Sequence, residues 1–140
     1  MIAFDVYGEP APQGSKRHVG NGRMIESSAK VKPWRQDVVA AAREAMAGPA
    51  GWAALDGPLC VEMTFTLRKP ASAPKKRTTY PDRKPDLSKL VRSTEDALVT
   101  AGVIADDARI VSMEARKVYP GEHYLALDAS GARIRVWRHA

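Results

Sequence analysis

The sequence predicts an α+β fold: a single domain over residues 1–140, with a mixed β-sheet and two main helices packed on one face of it. Three observations predict it. Two long stretches carry apolar residues at helical spacing, several shorter ones alternate or are rich in β-formers, and Gly/Pro punctuation sets them in the order β-β-β-α-β-α-β-β. A chain of 140 residues is long enough to bury a core of its own.

The first element is IAFDVYG, residues 2–8, which alternates and is rich in β-formers. EPAPQGSKR follows as a Pro/Gly turn segment ending in two cations. RHVGNGRMIES reads as a hairpin, with Gly20-Asn21-Gly22 as its turn. Ser27 or Ser28 suits a helix cap and Pro33 a first turn, so Trp34 to Met46 is predicted helical. Val38, Val39 and the alanines form its broad apolar face, Arg35 and Arg43 lie toward its polar side, and Gly48-Pro49 ends it.

GWAALDGP, 51–58, is a loop. LCVEMTFTL, 59–67, is a strand with Leu59, Val61, Met63, Phe65 and Leu67 on one face and Glu62, Thr64 and Thr66 on the other. Residues 69–86 place Pro70, Pro74, Pro81 and Pro85 among cations, a long basic loop of the kind that is either functional or disordered. The second helix spans Leu87 to Ala101, where Leu87, Leu90, Val91, Thr94, Leu98 and Ala101 form a buried stripe and Gly102 gives the stop. VIADDARIV then turns through Asp106-Asp107 into a strand from about Arg109 to Tyr119. YPGEH is a turn, and HYLALD and ARIRVWR, separated by ASG, are two further strand-like pieces.

Composition narrows the function. The chain is 44% hydrophobic and 27% charged, as in ordinary water-soluble domains, and it has no run of about 18 apolar residues to span a membrane. MIAFDVYGEP has an acid at position 5 and no apolar segment, so no signal peptide is expected. One cysteine, Cys60, lies in an apolar strand and reads as a buried thiol, which suits a reducing cytoplasm. The net charge of +6 is unevenly spread: from Arg68 to Arg92 there are nine Lys or Arg against Asp82 and Asp86 alone. Such a block serves either as a solvated basic loop or as a phosphate-binding rim.

Asp86 stands before the first apolar residue of a helix, where it reads either as an N-cap or as half of a metal site. Asp106-Asp107 reads either as a solvated turn or as the other half. Carboxylates from separate elements can hold Mg²⁺, which activates a water and neutralises charge on a phosphodiester. The histidines at 18, 123 and 139 have no ligand spacing, and GxSxG, P-loop and CxxC patterns are absent. Trp34, Trp52 and Trp137 read as packing residues.

The segment KPDLSKLVRSTEDALVTAGVIADDARIV, from Lys84 to Val111, resembles the signature of the RusA-type Holliday-junction resolvases: an Asp-x-Asp-Asn helix start, a lysine a turn later, an Ala-Leu followed by Gly, and an Asp-Asp pair before a strand. VYGEPAPQGSKR resembles that family's first strand and basic loop more loosely. The resemblance implies a homodimeric, Mg²⁺-dependent endonuclease, with Mn²⁺ as a substitute ion, that nicks opposing strands of four-way and branched DNA. Such proteins are often carried by phages or prophages, and no membrane or small-molecule substrate is implied.

Asp86 falls on the family's first catalytic aspartate, Asp107 on the late one with Asp106 beside it, and Arg92 on a lysine of the phosphate site. Asp96 falls on the Asp of the Asp-Ala-Leu element. Ser88 stands where the family has its second aspartate and Lys89 where it has an asparagine. Ser88, Arg92 and Glu95 follow one helical flank at i, i+4 and i+7, so Glu95 reads either as the carboxylate that Ser88 lacks or as a surface partner of Arg92. The expected DNA contacts are Lys16, Arg17, Lys75, Lys76, Arg77, Arg83, Lys84 and Lys89. Two rivals remain: a junction-binding protein that has lost catalysis through Ser88, and a single-stranded nucleic-acid binder using aromatics, for which nine aromatics are few.

Overall fold

The computed structural model describes residues 1–14, 16–18, 24–26, 29–48 and 50–140, with the backbone alone for 16–18 and 24–26. Its strands are β1 (Ile2–Tyr7), β2 (Lys16–His18), β3 (Met24–Glu26), β4 (Leu59–Thr66), β5 (Ile110–Val118) and β6 (Gly131–Arg138); its helices are α1 (Val31–Met46) and α2 (Leu87–Ala101). A single 3₁₀ turn, Asp107–Arg109, leads into β5.

β1, β6, β4 and β5 form one sheet in that order, with β4–β5 parallel and the other pairs antiparallel, so the sheet is mixed as expected. β2 and β3 form a separate antiparallel hairpin; its Gly20-Asn21-Gly22 turn lies outside the described residues. The parallel pair exists because α2 carries the chain from the end of β4 back to the start of β5, the crossover that parallel neighbours need.

Alternation sorts the sheet faces. Ile2, Phe4 and Val6 of β1, Ala132, Ile134 and Val136 of β6, and Leu59, Val61, Met63 and Phe65 of β4 are buried together under the two helices. From the helices come Trp34, Val38 and Ala42 of α1 and Leu90, Ala97 and Leu98 of α2. Trp34 is fully buried, and its indole N–H donates to Thr94 Oγ1 at 3.1 Å, which ties α1 to α2. Gly131 opens β6 opposite Tyr7 of β1, where an added Cβ would collide with the Val6 carbonyl oxygen. Gly102 ends α2 at φ 86°, the left-handed turn that glycine adopts without a steric cost.

Three local expectations change. α1 begins at Val31 rather than Trp34, because its buried stripe starts there and runs Val31, Trp34, Val38, Ala42. Its N-cap position is Lys30; Ser27, Ser28 and Pro49 lie outside the described residues. HYLALD is not a strand. The His123 ring accepts from Leu125 N at 3.0 Å and the His123 carbonyl from Ala126 N at 3.0 Å, so the segment curls into turns, and Leu127 N is taken by Thr66 Oγ1 at 2.9 Å.

That segment also helps explain β4, which is buried along its whole length rather than on one face. On the face away from the helices, Glu62 holds Arg135 at 3.1 Å and Arg116 at 3.3 Å, and Arg116 also reaches Thr64 Oγ1 at 2.6 Å. The strand's polar residues are therefore roofed by arginines from both neighbouring strands. Cys60, a free thiol, is buried on the same face.

Candidate active site

α2 begins where a proline-rich chain meets an amphipathic stretch. Asp86, at φ −67° and ψ 134°, is its N-cap residue, and its carbonyl accepts from Lys89 N and Leu90 N, each at 3.1 Å. Its carboxylate makes no capping hydrogen bond. The side chain is half exposed and stands 3.7 Å from Lys89 Nζ, so position alone, not side-chain bonding, makes Asp86 a cap. Lys89 is held in place from behind, since its carbonyl accepts from Gln13 N at 2.9 Å.

Along the same helix Ser88 and Arg92 are exposed and Glu95 is half-buried. Burial, with Asp107 and Asp96 nearby, pushes the Glu95 carboxyl above its ordinary range, and Arg92 only partly offsets this. Asp96 is tied to α1 through Arg35 at 3.7 Å, a structural task. Asp106 caps the 3₁₀ turn, its Oδ1 accepting from Ala108 N at 3.0 Å. Asp106 and Asp107 lie close enough to share a proton: the bond to Asp106 raises the Asp107 carboxyl, while the Ala108 N–H and then Asp107 lower Asp106.

Asp106 and Asp107 are thus in contact, and Glu95 and Asp96 lie near enough to feel the Asp107 charge. Asp86 does not join them. It starts α2 nine residues before Glu95, about 13 Å away along a helix axis that rises 1.5 Å per residue. β5 gives a second measure. Lys117, near its end, donates to the carbonyls of Arg83 and Pro85, each at 2.9 Å, directly before Asp86. Asp107 precedes the other end of the same strand, whose 110–117 span is about 23 Å. Among the described residues no three Asp, Glu, His or Cys side chains are placed to hold one metal ion. A divalent cation of the Mg²⁺ kind takes oxygen ligands at about 2.1 Å. The donor set inferred from the sequence therefore does not fit such an ion within one protomer.

The basic loop is anchored rather than free-standing. Lys69 Nζ donates to Glu122 Oε2 at 2.6 Å and to the Arg77 carbonyl at 3.2 Å, and Thr79 N donates to Glu122 Oε1 at 3.0 Å. Lys75, Lys76, Arg77, Arg83 and Lys84 remain exposed around it. The loop and the sheet edge enclose a cleft of about 600 Å³ that includes Arg68, Tyr80, Arg83 and Lys84 and ends at Pro85. Lys16 and Arg17 lie in β2, their side chains outside the description. Lys117 and Glu122 are the residues that sequence reading missed. The signal for Lys117 was available, since a lysine follows Met113 and Ala115 on the helix-facing side of β5.

Glu122 allows a direct check on the loop. The Lys69 ammonium first, and the Thr79 N–H second, hold its carboxyl below the ordinary glutamate range. A depressed acid stabilises the fold above its unfolded pKa and loses that contribution as pH falls through the folded value. The anchor is therefore complete at neutral pH. Glu122→Gln is expected to speed amide exchange across residues 70–85 at neutral pH, and wild type to approach the variant as the solution is acidified.

A family model described as Endodeoxyribonuclease RusA matches residues 7–126. The chain belongs to the RusA family. A relative, YqaN of Bacillus subtilis (strain 168), described as an uncharacterized protein, is 30% identical over 129 residues, covering 86% of this chain and 89% of that one. The RusA match contains both groups of acids and the whole basic loop. Membership places the chain among endodeoxyribonucleases, and no helix among the described residues is long and apolar enough to cross a membrane.

Ser88 is a site at which this RusA-family chain invites repair. The first turn of α2 contains no acid, although an acid there is favoured by the helix dipole. Ser88→Asp is expected to raise stability by about 0.3–1 kcal/mol in thermal unfolding.

Proposed function

We propose that this protein is a Mg²⁺-dependent, structure-selective DNA endonuclease of the cytoplasm that resolves Holliday junctions and related branched DNA by paired nicks. The single observation that carries the proposal is the RusA family match across both acidic groups and the basic loop. In this reading the protein acts as the homodimer that the RusA resemblance implies, and Asp86, Asp107, Asp106 and Glu95 are the metal-facing acids of that dimer, since they do not converge on one ion within a single copy. Arg92 and Lys89 face the scissile phosphate, with Arg92 offering a fixed fork of donors where a lysine would offer a point charge. Lys75, Lys76, Arg77, Arg83 and Lys84 track the DNA backbone, and Lys16 and Arg17 extend that track. Lys117 holds the chain before Asp86 and acts through that residue rather than on the DNA.

Ser88 favours one rival, a junction-binding protein without cleavage, because a hydroxyl replaces a charged ligand on the exposed start of α2. One experiment separates the two. Purified protein is incubated with a synthetic four-way junction and with a linear duplex of the same sequence, with and without Mg²⁺ or Mn²⁺. Symmetric nicks in the junction alone, dependent on the ion, are the expected result. Tight binding with no nick in either ion would establish the rival, and equal cutting of duplex would remove the structural selectivity.

A further inference from the structure

Between β1 and the basic hairpin the chain reads Gly8-Glu9-Pro10-Ala11-Pro12-Gln13-Gly14, a segment with no regular structure of its own. Its two prolines fix φ and remove two amide donors, so the polar groups that remain need partners elsewhere. They find them on the helices. Ala11 is 1% exposed, and its carbonyl accepts from Ser93 Oγ at 2.7 Å. Gln13 N donates to the Lys89 carbonyl at 2.9 Å, and Gln13 Oε1 accepts from Arg35 of α1. Glu9 pairs with Lys30, just before α1, at 2.9 Å. The segment is therefore a strap tied to both helices before it reaches β2.

Ser93 is the least expected of these ties. It is fully buried in the middle of α2, where alanine would suit the helix better. Its hydroxyl carries one proton and has two acceptors in reach, Ala11 O at 2.7 Å and Leu90 O at 3.0 Å. The Leu90 carbonyl already accepts from Thr94 Oγ1 at 2.8 Å, which leaves the Ser93 proton for the strap. The strap also limits where the cations beyond it can go. Lys16 follows Gln13 by three residues, so chain length alone keeps their Cα atoms within about 11 Å. Gln13 in turn is bonded to Lys89, in the first turn of α2 and three residues after Asp86.

We propose that Ser93 is a positioning residue for DNA binding: by holding the strap on α2 it sets the Lys16–Arg17 arm beside the first turn of that helix, where both cations meet the phosphates of the bound strand. The inference rests on the nuclease reading above. Ser93 itself touches no DNA and acts through Lys16 and Arg17. An arm already fixed in place gives up little freedom on binding, whereas a released arm must be ordered at each encounter and loses its phosphate contacts first.

The test is the salt dependence of junction binding by the full chain, measured beside its nicking rates. Each phosphate contact contributes about 0.9 to the slope of log affinity against log salt concentration. Ser93→Ala is expected to flatten that slope by about 1 to 2 and to raise KM, with kcat at saturation unchanged. Lys16→Ala combined with Arg17→Ala should flatten it equally, and adding Ser93→Ala to that pair should change nothing further, because the three act as one unit. Ser93→Thr keeps the hydroxyl and should restore the wild-type slope. Gln13→Pro removes the amide donor to Lys89 without touching α2, and it carries the same expectation if Ser93→Ala fails to fold.

A Ser93→Ala protein with the wild-type slope overturns the proposal, whatever its melting temperature. So does a Ser93→Ala effect that adds in full to that of the two arm substitutions. If the wild type binds no junction, the nuclease reading fails. The slopes measured on heparin, a polyanion without bases, then decide the role of the strap by the same two criteria.

Discussion

Asp107→Asn is expected to lower junction nicking by more than about 100-fold, the upper end of what a lost outer-shell partner of a metal costs, while leaving the protein folded. Asp106 Oδ1 accepts from Ala108 N at 3.0 Å, whereas the Ala108 N–H is only the last and smallest influence on Asp107. Its carboxyl is raised by the contact with Asp106 first and burial second, so its charge is strained rather than stabilising. Removing that charge should therefore make the protein more stable as it makes it inactive. The sign follows from linkage. Glu95 and Asp107 have raised folded pKa values, so the stability tied to their protons is full below the unfolded pKa and is lost as pH rises through the folded one. Relative to Asp107→Asn, the wild type should lose melting temperature between mildly acid and neutral pH. Asp106→Asn should be milder for the fold, since an asparagine oxygen can still cap the turn. Glu95→Gln decides whether Glu95 stands in for the carboxylate missing at Ser88, and wild-type nicking by that variant would end the idea.

The second large effect is on the fold. Trp34→Ala empties the most voluminous fully buried side chain of the core and cuts the link between α1 and α2. The cost expected is about 3–5 kcal/mol, a large part of the roughly 5–15 kcal/mol that holds a domain of this size. Trp34→Phe fills most of the space but removes the indole donor. Thr94 Oγ1 still donates to the Leu90 carbonyl at 2.8 Å, so no buried donor is orphaned and about 1–2 kcal/mol is expected. Chemical unfolding of the two variants checks both figures. A Trp34→Phe loss as large as that of Trp34→Ala would show that the hydrogen bond, not the volume, carries the contact.

Much of the architecture was legible because local chemistry and tertiary packing agree. α2 runs from Leu87 to Ala101 as its apolar stripe and Gly102 foretell, and β4 keeps the alternation that sets Leu59, Val61, Met63 and Phe65 under the helices. HYLALD was misread because its alternation imitates a strand, while the His123 ring and Thr66 Oγ1 take amides that a strand would need. The burial of Glu62, Thr64 and Thr66 was not readable from β4 alone, since the arginines on Glu62 and Thr64 come from β5 and β6 and Thr66 is met by Leu127 of the turns before β6. For the site, spacing identified the acids but not their separation. A helix of known length fixes how far Asp86 lies from Glu95, yet only the return path through β5 shows that Asp107 comes back beside Glu95 instead of beside Asp86.

Lys117 gives β5 a mechanical meaning. It fastens the chain carrying Asp86 to one end of a strand whose other end starts at the Asp107 turn. The strand is then a gauge block of fixed length, and the protein has no slack with which to match a substrate. Under the proposed function the DNA must supply the compliance. A straight duplex, with a persistence length of about 150 base pairs, resists such fitting, whereas the arms of a branched molecule pivot freely about their crossing point. Selection for branched DNA would in that case be a preference for soft substrates over stiff ones.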